Sequence, residues 1–592
     1  MAAPARRQTM VSHHHNHHIP HHHHRRVSLA ALFVKDDTHR GPYIPSTLDL
    51  WATAVALAVG GQCLYWPAAL GAGTASCALA LAAMALAHTG LVYSVAEITS
   101  ALPFHGGVFG HARCTLGFCP GFVIGCIDLV GHVLRLTLAQ TTAGHLLTAA
   151  WPSLRPFEPL VWAALVALGA VGTGGGSRLF WRIHVTLVVV ALTVVFFYCM
   201  GALTLASVVD YGGGTANLFV DRGAHAVTLF PHAAWMYAGL DAFPLLAPNI
   251  GGANPSRVLP PTHVSAMLTV LATSLCIFFV AISLPPGAMA LPHTLTVLGG
   301  GIAASFNVSE HTATLVSLPA AVATVPVSTV AVTNVLAAMG SSRLVPSSSS
   351  WKRFVLGAFP SLGVASAVHF ATLSPSFVLH LCLVTRFVAA MTHCLAFLHL
   401  RLYHRVLPRR RVSPWGAPGA IIALVVFGVA TVSLLVCQDD NFVVLSTVAA
   451  VGLAATVYYH TVVKHCQVFS QAELQLLLTA HVVHRQIANK RTRRASGSIK
   501  QSLPTRRSSS SMSVKRSRKP GHSIHGMPPL PPLLSKTSWS SFSRLAAATT
   551  TTISGRITPQ RVIQVKKSKT HEEHTKSGPE LLTIIPPAKA GR

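Results

Sequence analysis

The chain has 592 residues, 51% of them hydrophobic and 10% charged, with a formal net charge of +29. A soluble domain carries about 25% charged residues, so a water-soluble globular fold is excluded, and apolar runs without alternation argue against a β-barrel. Much of the excess charge lies after Lys464, which favours contact with a membrane surface over a nucleic-acid partner.

Residues 1–45 form a polar tail containing HHHNHHIPHHHH. The interrupted run reads as a disordered cytoplasmic His tract with no dedicated ligand; weak zinc or copper binding is the alternative. No cleavable signal peptide is expected, because the first apolar run is too long for a signal core.

Apolar runs then recur through residues 46–464, and about twelve transmembrane helices are expected. They fall at 48–70, 75–100, 118–148, 158–174, 179–206, 227–247, 263–284, 313–339, 354–373, 376–399, 416–437 and 442–463. The fold class is therefore an all-α membrane protein. Most of the eleven cysteines sit inside these runs, where free cysteine behaves as a small apolar residue. Neither a disulfide nor a metal spacing is read from them.

The first run contains LAVGGQCLYWP, with adjacent Gly60 and Gly61. At 1.5 Å per residue, Gly60 lies about 15 Å into the run, near the midplane. Non-helical backbone at that depth survives only where it lines a cavity or is buried in protein. A close helix crossing, which also favours glycine, is the plainer account.

In the third run Asp128, His132 and Arg135 are spaced i, i+4, i+7 and share one helix face. Together they can keep charge neutral while a proton moves; a static ion pair is the competing reading. The sixth run carries a central Gly239 followed by Asp241, and an intramembrane acid is a functional candidate by default. His88, His145 and His184 are read as packed or interfacial.

With the N-terminus inside, cytoplasmic connections hold about twelve Lys or Arg against two outside, Arg155 and Arg222, which places both termini in the cytoplasm. Asn307 then opens an external sequon, Asn307-Val308-Ser309, a glycosylation candidate. Residues 465–592 form a basic, Ser/Pro-rich cytoplasmic tail. Its segment 470–494 is read as an amphipathic helix on anionic lipid. RRAS and RRSSSS suit basophilic kinases, whose phosphate would weaken that adhesion.

Three stretches carry a family resemblance. Residues 92–117 read VYSVAEITSALPFHGGVFGHARCTLG. They place Glu97, Leu102, Pro103, Gly106, Gly107, Phe109, Arg113 and Gly117 as in the signature of the amino acid–polyamine–organocation permeases. The sixth run and NIGGANPSRVLP supply Trp235, Gly239, Leu240, Asn254, Pro255, Arg257 and Pro260, and RRRVSPWGAPG precedes the eleventh run. VGGQCLYWPAALGAG resembles the ethanolamine permease-like members.

The resemblance covers roughly residues 46–463. It implies a LeuT-type fold of two inverted five-helix repeats plus two helices, with helices 1 and 6 broken. It implies that Val59, Gly60, Gly61 and Gln62 meet the substrate's carboxylate or equivalent polar end. Tyr237, Ala238 and Gly239 would present carbonyls to its amine, and Trp66 and Trp235 would gate it. Asp241 stands where the family has glutamate, Pro248-Asn249 replaces an acidic pair, and the fifth run has no lysine. Those departures leave the coupling ion open, with Asp241, Asp128, His132 and Arg135 as candidates for a proton.

The implied function is secondary active transport of amino acids or related amines such as ethanolamine or polyamine, proton-coupled or exchanging. A nutrient sensor signalling through its tail is the alternative. No cofactor and no enzymatic activity are expected, since no nucleophile–base pair or metal triad appears at matched depth. The plasma membrane is favoured over a vacuolar or lysosomal one, and the oligomeric state stays open.

Overall fold

A computed structural model describes residues 43–102, 106–170, 178–220, 224–250, 254–346, 349–370, 372–404, 407, 409–440, 442–470 and 473–474. The His tract, all but a few residues of the 470–494 segment and the Ser/Pro-rich tail lie outside these.

Among the described residues every regular element is helical. The principal helices are α1 (Thr47–Gln62), α2 (Thr74–Ala101), α3 (Gly107–Thr115), α4 (Phe118–Ala150), α5 (Glu158–Gly169), α6 (Arg178–Leu205) and α7 (Pro255–Ala281). They continue as α8 (Leu318–Ser341), α9 (Ser350–His369), α10 (Pro375–Tyr403), α11 (Gly416–Val436) and α12 (Val443–Tyr458).

Among the described residues eight helices are long and apolar enough to cross a membrane: α2, α4, α6, α7, Glu310–Ser341, α10, α11 and Val443–Cys466. α1 and the 3-10 turn Trp66–Ala72, which meet at 41°, make a ninth when taken together. This is an all-α, multi-pass membrane architecture. The remaining three apolar runs do not form such helices among the described residues. α5 has 12 residues. α9 has 20 but opens on Trp351-Lys352-Arg353 and contains Pro360. Residues 230–250 hold only 3-10 segments, because Pro231, Pro244 and Pro248 lack the N–H that an α-helix ladder needs.

α1 starts on a capping box. Ser46 Oγ accepts from Asp49 N at 3.2 Å, and Asp49 Oδ2 accepts from Ser46 N at 2.7 Å and Tyr43 OH at 2.8 Å. Apolar on all sides, α1 is almost wholly buried, as such helices are. It packs between α6, α7 and α8. α6, α11 and α12 instead turn Phe196, Phe197, Val425, Val429 and Leu453 outward. In an aqueous monomer such a belt would be costly; facing lipid it is not.

The break in the first run is displaced from its expected place. α1 continues through Gly60 and Gly61 and ends at Gln62, so the interruption falls at residues 63–65. In the sixth run the interruption is at Tyr237–Gly239, where Gly239 has φ 107°. That is left-handed backbone which side chains with a Cβ rarely adopt.

Candidate functional site

The two interruptions lie beside each other. Gly61 sits so close to the sixth-run segment that a Cβ there would collide with the carbonyl of Trp235. Gly239 is closed off by Arg135, whose guanidinium occupies the space a Cβ would need. Close approach of two backbones and of one cation, together with the positive φ, explains why glycine stands at these two positions.

Between the end of α1, α4, α8 and the 237–239 break lies a cavity of about 360 Å³ of atom-free space. Little of that space is open to solvent-sized molecules, with room for about two or three waters. Gly60, Gly61, Trp235 and Ala238 line it, and so do Tyr65, Arg135, Thr142 and Thr324. Tyr65 tilts against Trp235 at 5.0 Å between ring centroids, and its hydroxyl is hydrogen-bonded to that of Thr142.

The other implied residues do not line this cavity. Val59 is buried in the core. The Gln62 side chain turns to α7, donating to Val270 O at 2.8 Å and accepting from Thr273 Oγ1 at 2.9 Å. Trp66 Nε1 donates to Gln62 O at 2.8 Å, and its ring meets Phe278 edge-on, so it braces the turn. Tyr237 OH accepts from Ser274 Oγ at 3.0 Å, and its ring packs on His88.

A buried charged cluster adjoins the cavity. α4 aligns Asp128, His132 and Arg135, with His132 Nε2 3.4 Å from Asp128 Oδ1. Arg135 does not join that pair. Its Nη2 donates to Leu57 O, and its Nε and Nη1 have no hydrogen-bond partner.

The cation of the cluster is one the sequence reading missed: Arg386 of α10. Its Nη2 donates to Asp128 Oδ1 at 2.5 Å, and its Nη1 donates to Asp241 Oδ2 at 2.9 Å while lying 3.0 Å from His132 Nε2. The signal was present, since Arg386 is the sole Lys, Arg, Asp or Glu within residues 376–399. Two carboxylates on one guanidinium leave the trio one negative charge in excess when both are ionised. Asp241, Arg386 and Ala238 also border a second cavity, of about 260 Å³ atom-free space, walled by His88 and Phe427. Ala238 lines both cavities.

Two turns beyond Arg386, His393 meets His111 of α3 with their Nδ1 atoms 3.0 Å apart, both rings buried. This pair too was missed; only the i, i+7 spacing from Arg386 hints at it. Of the histidines read as packed or interfacial, His88 Nδ1 bonds Met84 O at 2.9 Å and His184 Nδ1 bonds Phe180 O at 2.8 Å, one turn back on their own helices, while His145 Nε2 lies 3.1 Å from Glu158 Oε1.

The signature residues Glu97 and Arg113 have structural partners elsewhere. Glu97 accepts from Arg401 at 2.7 Å, Arg409 at 2.8 Å and Ser413 N at 2.7 Å, gathering the chain between α10 and α11. Arg113 pairs with Glu473 beyond the last apolar helix, and both side chains are 1% exposed. Arg113 Nη2 also donates to Val468 O at 3.1 Å, and Ser470 N donates to Glu473 Oε2 at 2.6 Å. Asn307 is exposed, in left-handed backbone after a short helix.

No protein-family model matches the chain, and no curated protein matches it.

Proposed function

We propose that the protein is a secondary active transporter of amino acids or related small amines, working by alternating access. The observation that carries this reading is the pairing of two interrupted segments, 63–65 and 237–239, beside a cavity and a buried ionisable cluster. Irregular backbone and buried charge are both costly at membrane depth, and transporters are where the two occur together. A LeuT-type inverted repeat with broken helices 1 and 6 is the fold that goes with this proposal.

The chemistry of the cluster suits proton coupling. Protonating Asp241 or Asp128 removes one of the two charges that hold Arg386. The guanidinium then swings toward the carboxylate that stays ionised, and α4, α10 and the 240–250 segment shift relative to one another. A proton is thereby exchanged for a rearrangement, as coupled transport requires.

The test is uptake in proteoliposomes with a panel of amino acids, ethanolamine and polyamines, with and without an imposed pH gradient. Saturable uptake that survives deletion of 475–592 is expected. The buried Arg113–Glu473 pair favours, as the second reading, a sensor whose tail reports the state of the bundle. Substrate-dependent tail exposure without uptake would decide for that.

A further inference from the structure

The first cavity holds hydrogen-bond donors that lack acceptors. Among its lining residues Arg135 is the sole cation, and no carboxylate lines it. Arg135 is 4% exposed, yet its Nε and Nη1 make no hydrogen bond. Trp235 Nε1, which can only donate, is likewise buried without a partner. The nearby acids are already engaged: Asp128 and Asp241 both bond Arg386. Among the described residues neither acid forms an ion pair with Arg135.

A buried, unpaired guanidinium is strongly unfavourable. The missing complement is a small anion with oxygen acceptors, for which guanidinium is well matched. We propose that Arg135 binds the carboxylate of the substrate, with Trp235 Nε1 as an accessory donor. Resting on the transporter reading, this narrows its substrate class. Ethanolamine and polyamines bring only positive charge to a cation and are excluded. The small free volume and the walls of Gly60, Gly61 and Ala238 fit a short, neutral amino acid such as glycine or alanine.

The proposal also gives the excess charge of the neighbouring trio a role. With Arg135 counted, Asp128, Asp241, Arg386 and Arg135 sum to zero when all are ionised. Alanine is a zwitterion, so its ammonium arrives with its carboxylate and that balance is kept: the carboxylate meets Arg135, and the trio's excess negative charge offsets the ammonium.

The test is equilibrium binding of labelled alanine to the purified full-length protein, with competitors added to the unaltered chain. Glycine and acetate should compete; ethanolamine, methylamine and putrescine should not. Arg135→Gln should weaken alanine binding at least tenfold, and Arg135→Lys should retain part of it, with monodispersity on gel filtration confirming that both fold. Ethanolamine competing as well as glycine overturns the proposal, as does binding of no amino acid. Chloride displacing alanine as effectively as acetate overturns the carboxylate assignment in favour of an inorganic anion. The competition series needs no variant, so a misfolded Arg135→Gln leaves the proposal open to refutation. Alanine that binds through Arg135 without being taken up into proteoliposomes refutes transport and leaves this site standing. Uptake by Arg135→Gln at the unaltered rate and affinity does the reverse.

Discussion

Arg386 donates to Asp241 at 2.9 Å from 145 positions further along the chain, which fastens the centre of α10 to the start of the 240–250 segment. Its other terminal nitrogen is on Asp128. Removing the cation leaves two carboxylates buried without it, and breaking a buried pair in this way costs about 3–5 kcal/mol. Arg386→Ala should therefore unfold at a clearly lower temperature in detergent. Asp128→Asn combined with Asp241→Asn should restore much of that loss. A double change that restores nothing would remove the cluster from any part in stability.

Asp241→Asn tests coupling. Asparagine mimics the protonated acid permanently. The variant should lose accumulation against a gradient and lose the pH dependence of uptake between about pH 5 and 8, while exchange of internal for external substrate persists. If Asp241 is architectural alone, asparagine keeps an acceptor for Arg386, and the pH profile of uptake stays unchanged.

The glycines of the first run separate by what they face. A Cβ at Gly60 meets the Thr324 hydroxyl and, less tightly, the carbonyl of Ala320, whereas a Cβ at Gly61 collides outright with the carbonyl of Trp235. Gly61→Ala should weaken substrate binding at least tenfold, about 1.4 kcal/mol, and Gly60→Ala clearly less. Gly60→Leu and Gly61→Leu should both lose binding while membrane insertion stays near normal. Isothermal binding beside an expression assay reads both quantities.

The Arg113–Glu473 pair predicts a protected stub of tail. Amides of residues 466–470 should exchange slowly in the intact protein and rapidly in Glu473→Gln. Exchanging the charges, Arg113→Glu with Glu473→Arg, should recover part of the protection. Equal exchange in all three would show that the pair holds nothing.

Both tails should resist protease added outside intact cells, and the loop bearing Asn307 should accept impermeant labels. This follows from the charge asymmetry of the connections, and cleavage of the C-terminal tail from outside would undo it.

Composition and run length carried the architecture into view because a bilayer penalises any unpaired backbone group, and only long apolar helices escape that penalty. The shorter runs were harder. Residues 227–247 are as apolar as their neighbours, but Pro231 and Pro244 prevent a spanning α-helix there, and hydropathy does not register a missing N–H. Gly60 and Gly61 marked the right neighbourhood through a different cause, since they serve close approach and the interruption follows them. Asp128, His132 and Asp241 were legible as charges in apolar runs. That Arg135 stands apart from Asp128 while Arg386 pairs with it was not, because helix periodicity gives a residue's face and says nothing of which distant helix supplies its partner.

Gly61 against the carbonyl of Trp235 has a genetic corollary. A defect caused by enlarging one side chain is usually relieved by trimming the side chain it strikes. Here the obstacle is a main-chain oxygen, present whatever amino acid occupies position 235. A selection for revertants of Gly61→Ala should therefore return no compensating change at codon 235. It should yield true reversion, or lesions at distant positions that move the 230–236 segment bodily away from α1.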